Sequence, residues 1–256
     1  MKFRFKSGVK SALNFAARLI TPPSRRAPDK IIEEEFGAID KLCRDFTMTS
    51  QERMYGLYKA VEYVVRAGIQ GDFVECGVWR GGSVMVIART LLRLKVTDRK
   101  IYLYDTFEGM SKPAEHDEDI QGVSAESLWG KKEANLAADA PPWLCLAQQS
   151  EVELNLSSTG YPTENFVLVK GKVEETIPRH APPKIALLRL DTDWYESTKH
   201  ELEHLFPLLA KNGVLILDDY GYWRGSKKAV DEYFANKAIL LNRLDDCGRI
   251  AIKTDE

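Results

Sequence analysis

The stretch that most constrains the fold runs from Pro183 to Tyr220, where two apolar runs each end in a pair of carboxylates. Lys184-Ile-Ala-Leu-Leu-Arg-Leu leads into Asp191-Thr192-Asp193, and Gly213-Val-Leu-Ile-Leu leads into Asp218-Asp219. Between them Leu202, Leu205, Phe206 and Leu209 stand at i, i+3, i+4 and i+7, which predicts an amphipathic helix from Glu196 to Ala210. Two near-continuous apolar strands joined by such a helix imply a parallel sheet buried on both faces. Right-handed crossovers bring both carboxyl ends to one edge, where open α/β sheets bind ligands. Asp191, Asp193, Asp218 and Asp219 are thereby expected to meet.

Carboxylates crowded together raise one another's pKa unless a cation sits among them, and a hard divalent ion with oxygen ligands meets that need. The plainer alternative is that Asp193 caps the following helix and Asp218 or Asp219 caps a turn, with no metal.

At 256 residues the chain is long enough for one large α/β domain with a complete core. Its net charge of -2 carries no footprint of a nucleic-acid partner. The charge is uneven: residues 1–26 hold seven Lys and Arg and no acid. Phe5, Val9, Leu13, Ala16 and Ile20 share one helical face there. Residues 1–20 read as a basic amphipathic helix that packs on a partner subunit of a homo-oligomer or touches an anionic membrane surface. With the proline-broken linker that follows, residues 1–28 form a segment outside a domain of residues 29–256. Cys43, Cys76, Cys145 and Cys247 lie far apart with no Cys-x-x-Cys pair, as expected of reduced thiols in a cytoplasmic protein.

Helices are predicted over residues 30–43 and 50–67, the second capped by Ser50. A strand at Asp72–Glu75 then turns through Cys76-Gly77-Val78-Trp79-Arg80-Gly81-Gly82-Ser83 into a helix ending near Leu94. Glycines at such a turn let backbone approach a ligand. The pattern is not the Gly-x-Gly-x-x-Gly of a dinucleotide site. A second strand, Lys100–Tyr104, ends at Asp105, an acid placed to accept from both ribose hydroxyls or to cap a helix. Thr106 to Gly122 carries five acids and His116, and so long a loop reads as a lid or substrate loop. Helices follow over 124–138 and 150–158 around Pro141-Pro142-Trp143, then a strand over 165–171. A helix over 226–237 and strands over 238–244 and 249–253, joined by the hairpin turn Asp245-Asp246-Cys247-Gly248, complete seven strands. Tyr195, Tyr220, Tyr222 and Trp223 are candidates for the walls of an acceptor pocket or for ordinary packing.

Four blocks in order, Phe73-Val-Glu-Cys-Gly-Val-Trp-Arg-Gly-Gly-Ser83, Tyr104-Asp-Thr-Phe-Glu-Gly-Met110, Leu190-Asp-Thr-Asp-Trp-Tyr-Glu-Ser197 and Leu217-Asp-Asp-Tyr-Gly221, resemble the macrocin-type O-methyltransferases. The resemblance spans about Ser50 to Phe234. It implies a class I methyltransferase fold: a Rossmann-like α/β sheet of seven strands, mostly parallel, with a C-terminal antiparallel hairpin and helices on both faces. It implies S-adenosylmethionine as methyl donor, a magnesium ion, and a hydroxyl of a sugar or glycosylated natural product as acceptor. It assigns Glu75, Gly77, Gly81, Gly82 and Ser83 to the donor's amino acid portion, Asp105 to its ribose, and Gly171 to the donor site. Asp191, Asp218 and Asp219 fall on the metal ligands, and Asp191 or Asp193 takes the acceptor's proton. Two rivals stand beside it. One is a metal-dependent glycosyltransferase using Asp191 and Asp193 as an Asp-x-Asp pair, which leaves the glycine turn without a role. The other is a non-catalytic assembly protein on the same fold.

Overall fold

The structure, a computed structural model, describes residues 33–127, 129 and 145–254. The expected basic helix and linker of residues 1–28, most of the helix predicted over 124–138, and the Pro141-Pro142-Trp143 break lie outside those residues.

The described chain begins with α1 (Glu34–Cys43) and α2 (Gln51–Arg66), and then alternates. Strand β1 (Asp72–Cys76) leads to α3 (Gly82–Arg93), β2 (Ile101–Asp105), α4 (Gln149–Ser157), β3 (Phe166–Lys170) and the single turn α5 (Val173–Thr176). Then come β4 (Ile185–Leu190), α6 (Tyr195–Leu205), β5 (Leu209–Leu217), α7 (Arg224–Phe234), β6 (Asn242–Arg243) and β7 (Arg249–Ile252). The seven strands described form one sheet in the order β3-β2-β1-β4-β5-β7-β6. β3, β2, β1, β4 and β5 are parallel, and β7 runs antiparallel to β5 and to β6. This is the class I methyltransferase architecture, with the expected terminal hairpin.

Period-two alternation divides the central strands between two helical layers. Val74, Leu188 and Leu190 join Leu202, Leu205, Val230 and Phe234 of α6 and α7 in one core cluster. The intervening residues Glu75 and Arg189, paired in register, face the other way. Ser50 caps α2 as expected, its Oγ accepting from the Arg53 N–H at 3.1 Å.

Two expectations are corrected. The helix predicted to Ala210 ends at Leu205, because Pro207 lies in a 3₁₀ turn over Phe206–Leu208, and Leu209 and Ala210 instead open β5. The orphan carbonyls there are satisfied by buried Lys253, whose Nζ donates to the oxygens of Phe206, Pro207 and Leu209 at 3.4, 3.3 and 2.8 Å. The strand predicted over 238–244 shrinks to Asn242–Arg243 at the sheet edge, with Leu240 exposed.

The sheet ends align across the carboxyl edge. Backbone N–H groups of Gly171, Gly77, Asp191 and Asp218 donate to the carbonyls of Asp105, Tyr104, Cys76 and Leu190 at 2.9–3.0 Å. Gly77 sits at φ 79°, and a Cβ there would overlap the Asp191 carbonyl oxygen. Gly77→Ala is therefore expected to cost at least about 2 kcal/mol, a fall in Tm on the order of 5 °C or more, readable by calorimetry.

Candidate active site

The aligned strand ends open onto a cavity of about 810 Å³. Of the residues expected to hold a donor, Gly77, Gly82, Ser83, Asp105 and Gly171 line it, whereas Glu75 and Gly81 are not on its wall. Glu75 is fully buried behind Ser83, and its Oε1 accepts from the Ser83 hydroxyl and from Arg189. Gly81 is the αL N-cap of α3, at φ 89°. Asp105 is already engaged: Oδ2 accepts from the N–H of Val78 and Trp79 at 2.7 and 3.0 Å, and Oδ1 from that of Phe107 at 2.7 Å. Its carboxylate thus braces the glycine turn.

The acids of the opposite wall converge as the spacing predicts. Carboxylate oxygens of Asp191, Asp218 and Asp219 lie within 4.8 Å of one another, and Asp193 lines the same wall. Asp193 adopts φ 64°, and its N–H donates to Asp219 Oδ2 at 3.1 Å. It does not cap α6. That end is served by Asp117, whose Oδ1 accepts from the Tyr195 N–H at 2.8 Å.

A residue absent from the expected site organises it. Arg189, 2% exposed, donates from Nη1 to Glu75 Oε1 at 2.9 Å and to Asp191 Oδ2 at 2.8 Å. Its Nη2 donates to Asp218 Oδ1 at 2.6 Å and to Thr49 Oγ1 at 3.1 Å. A second guanidinium, that of Arg53 on α2, bonds the other oxygen of Asp218 and reaches Asp245 Oδ2 at 2.9 Å. Arg189 stands two residues before Asp191, on the same strand face, as a lone charge in an apolar run; that was its signal. Arg53 lies more than a hundred residues from its partners and gave none.

Two cations, Arg53 and Arg189, face six carboxylates, Glu75, Asp191, Asp193, Asp218, Asp219 and Asp245, and the electrostatics follow. Burial, opposed by Arg189, pushes Asp191 well above the ordinary carboxylate range. Asp219 is pushed up by burial and by Asp193, Asp191 and Asp218, and among the described residues it forms no ion pair. Burial also raises Asp193, to about 6, against hydrogen bonds to Asp219 and Trp223.

Of the aromatic candidates, Tyr222 and Trp223 line the cavity, beside the unforeseen Trp194, packed edge-on against Trp223 at 4.9 Å. Tyr195 and Tyr220 are not on the wall; their hydroxyls donate to Glu232 and Asp231, both at 2.7 Å. His116 is also off the wall, its ring against Tyr195 at 5.1 Å. The long loop folds onto the cavity's edge: Met110 and Ser111 line it, Trp194 Nε1 donates to the Ser111 carbonyl at 3.0 Å, and Asp119 bridges to Trp223.

Comparison with known proteins decides what this arrangement belongs to. The profile of the macrocin-O-methyltransferase (TylF) family matches residues 24–250. The chain belongs to that family. It is 31% identical over 187 residues to mycinamicin III 3''-O-methyltransferase of Micromonospora griseorubida, covering 73% of this chain and 69% of that one. It is 33% identical to the 8-demethyl-8-(2,3-dimethoxy-alpha-L-rhamnosyl)-tetracenomycin-C 4'-O-methyltransferase of Streptomyces olivaceus, covering 73% and 67%. Among solved structures, the O-methyltransferase NovP superposes with a TM-score of 0.70 at 30% identity, over 82% of this chain and 83% of that one. This macrocin-type protein is an O-methyltransferase, which sets the glycosyltransferase reading aside. Among the described residues no helix is long and apolar enough to cross a membrane.

The raised pKa of Asp193 has a signed consequence. The native protein keeps that proton to about pH 6, above the range where an unfolded aspartate releases it. The stability it contributes is therefore present at low pH and lost as pH rises through about 6. In EDTA, the Tm is expected to fall as pH rises from about 4 to about 6.5 and then to level off, and Asp193→Asn to flatten that slope.

Proposed function

We propose that this methyltransferase moves the methyl group of S-adenosylmethionine to a hydroxyl of a sugar or glycosylated small molecule, with a divalent ion, magnesium, at Asp191, Asp218 and Asp219. The observation that carries the ion is the acid triad, Asp218 and Asp219 buried and Asp191 half-buried, in which Asp219 has no cationic partner among the described residues. Three all-oxygen donors suit a hard ion, and Arg189 leaves the cluster short of neutrality. When bound, the ion would lower the pKa of the acceptor's hydroxyls and fix their orientation.

The chain's own residues do the rest. Gly77, Gly82 and Ser83 bring backbone and a hydroxyl to the donor at the N-terminus of α3. Asp105 fixes that turn and faces the cavity, and the acidic walls favour a sulfonium and an α-amino group. Glu75 acts at one remove, by holding Ser83 and Arg189. Asp193 is the better proton acceptor of the two candidates: Asp191 has an oxygen committed to Arg189, whereas Asp193 has no guanidinium partner among the described residues and a pKa of about 6. Trp194, Tyr222 and Trp223 offer stacking faces to a sugar ring. The relative from Streptomyces olivaceus, named for a rhamnosyl tetracenomycin, supports that acceptor class.

Asp191→Asn is expected to lower methyl transfer by about 100-fold or more while S-adenosylhomocysteine affinity stays within about threefold. Isothermal titration and a methyl-transfer assay with glycosylated acceptors check both, and an undiminished rate removes the ligand role.

The basic segment supports a peripheral role for residues 1–20, in a homo-oligomer or at an anionic membrane. Deleting them should leave donor affinity intact and change either the mass in light scattering or sedimentation with anionic liposomes. No change in either refutes the role.

A further inference from the structure

Resting on the divalent-ion reading above, we propose that Arg53 sets how tightly that ion is held: it is a resident counter-charge that stabilises the ion-free triad and weakens its grip on a divalent cation. Among the described residues, Asp218 is the only one of the three proposed ligands with both oxygens bound by guanidiniums, Oδ1 by Arg189 and Oδ2 by Arg53. The two arginines are not equivalent. Arg189 is sealed within the sheet and also neutralises Glu75. Arg53 enters from α2, lines the cavity and retains 15% side-chain exposure. Its seat is built from outside the sheet: Asp245 accepts from Nε at 2.9 Å, Ser50 Oγ donates to the same Asp245 oxygen at 2.5 Å, and Gly248 leaves the room. A Cβ at Gly248 would stand 2.7 Å from Arg53 Cδ.

The sign follows from charge. A fixed monovalent cation on a ligand carboxylate stabilises that carboxylate when the site is empty and repels a divalent ion twice as strongly as a monovalent one. A site so arranged folds without its ion and exchanges it with solution. Arg53 is thus a positioning residue that acts through Asp218 and touches no reacting atom.

The test uses the full chain and Mn²⁺ as probe, its Kd read by electron paramagnetic resonance and calorimetric titration, with the Tm measured in EDTA. Arg53→Gln keeps a hydrogen-bond donor and deletes the charge. It is expected to bind Mn²⁺ at least about tenfold tighter, to melt lower in EDTA, and to gain more from Mn²⁺. Arg53→Lys, which keeps the charge, should stay within about threefold of wild type. Gly248→Ala, which crowds Arg53 from its seat without altering any charge, should tighten binding in the same direction even if the Gln variant does not fold. Equal or weaker Mn²⁺ binding in both Arg53→Gln and Gly248→Ala overturns the proposal while the ion site stands. A wild-type chain that binds no Mn²⁺ overturns the ion site and this inference with it.

Discussion

A guanidinium inside a β-sheet is the constraint on which this active site depends. Arg189 lies in β4 between β1 and β5, and it is withdrawn from water at a cost that only close, well-formed ion pairs offset. It has three such pairs and a hydroxyl. Each pair ties a different segment to the strand: Glu75 in β1, Asp191 at the end of β4 itself, Asp218 at the end of β5. The parallel register makes this possible by placing Glu75 directly beside Arg189 and the two aspartates at one edge. The charge that lets the acids approach is therefore built into the same strands that carry them.

Around that anchor, the backbone of Asp191-Thr-Asp193 is held from several sides. Asp219 accepts from the Asp193 N–H, which holds Asp193 at its positive φ of 64°, a conformation uncommon outside glycine. Thr192 donates to Glu201 Oε2 at 3.2 Å, and Glu201 is wholly buried and pushed well above the ordinary range by that burial. A buried acid on α6, whose protonated form burial favours, thus braces the loop. Asp117 supplies the missing cap of the same helix from the long loop after β2. The loop after β2, α6 and the Asp191-Thr-Asp193 segment are consequently parts of one hydrogen-bonded unit.

What could be read from the chain beforehand follows from the range of the interactions. Strand ends, the glycine turn and the acid pairs depend on local spacing, and Asp191, Asp193, Asp218 and Asp219 converge as their places at strand termini require. Glu75 is assigned to the donor by the family resemblance, and in the structure strand alternation turns its side chain inward, towards Arg189. The helix boundary at Leu205 was missed because apolar spacing continued through Pro207 into β5, where the ring's missing N–H outweighs periodicity. Arg53, Thr49 and Asp117 could not be found at all, since each acts across at least 78 residues of chain.

The excess of negative charge is itself informative about chemistry. An acid cluster left at two cations to six carboxylates pays in stability unless something positive enters, and both groups that the proposed reaction needs, a sulfonium and a divalent ion, are positive. In the proposed reaction methyl transfer cancels the sulfonium charge and the acceptor's proton passes to Asp193, so a site that attracts its donor would be left holding a neutral product. That change weakens the electrostatic hold on the spent donor at the step where it must leave. The same carboxylates that gather the reactants thereby favour their release.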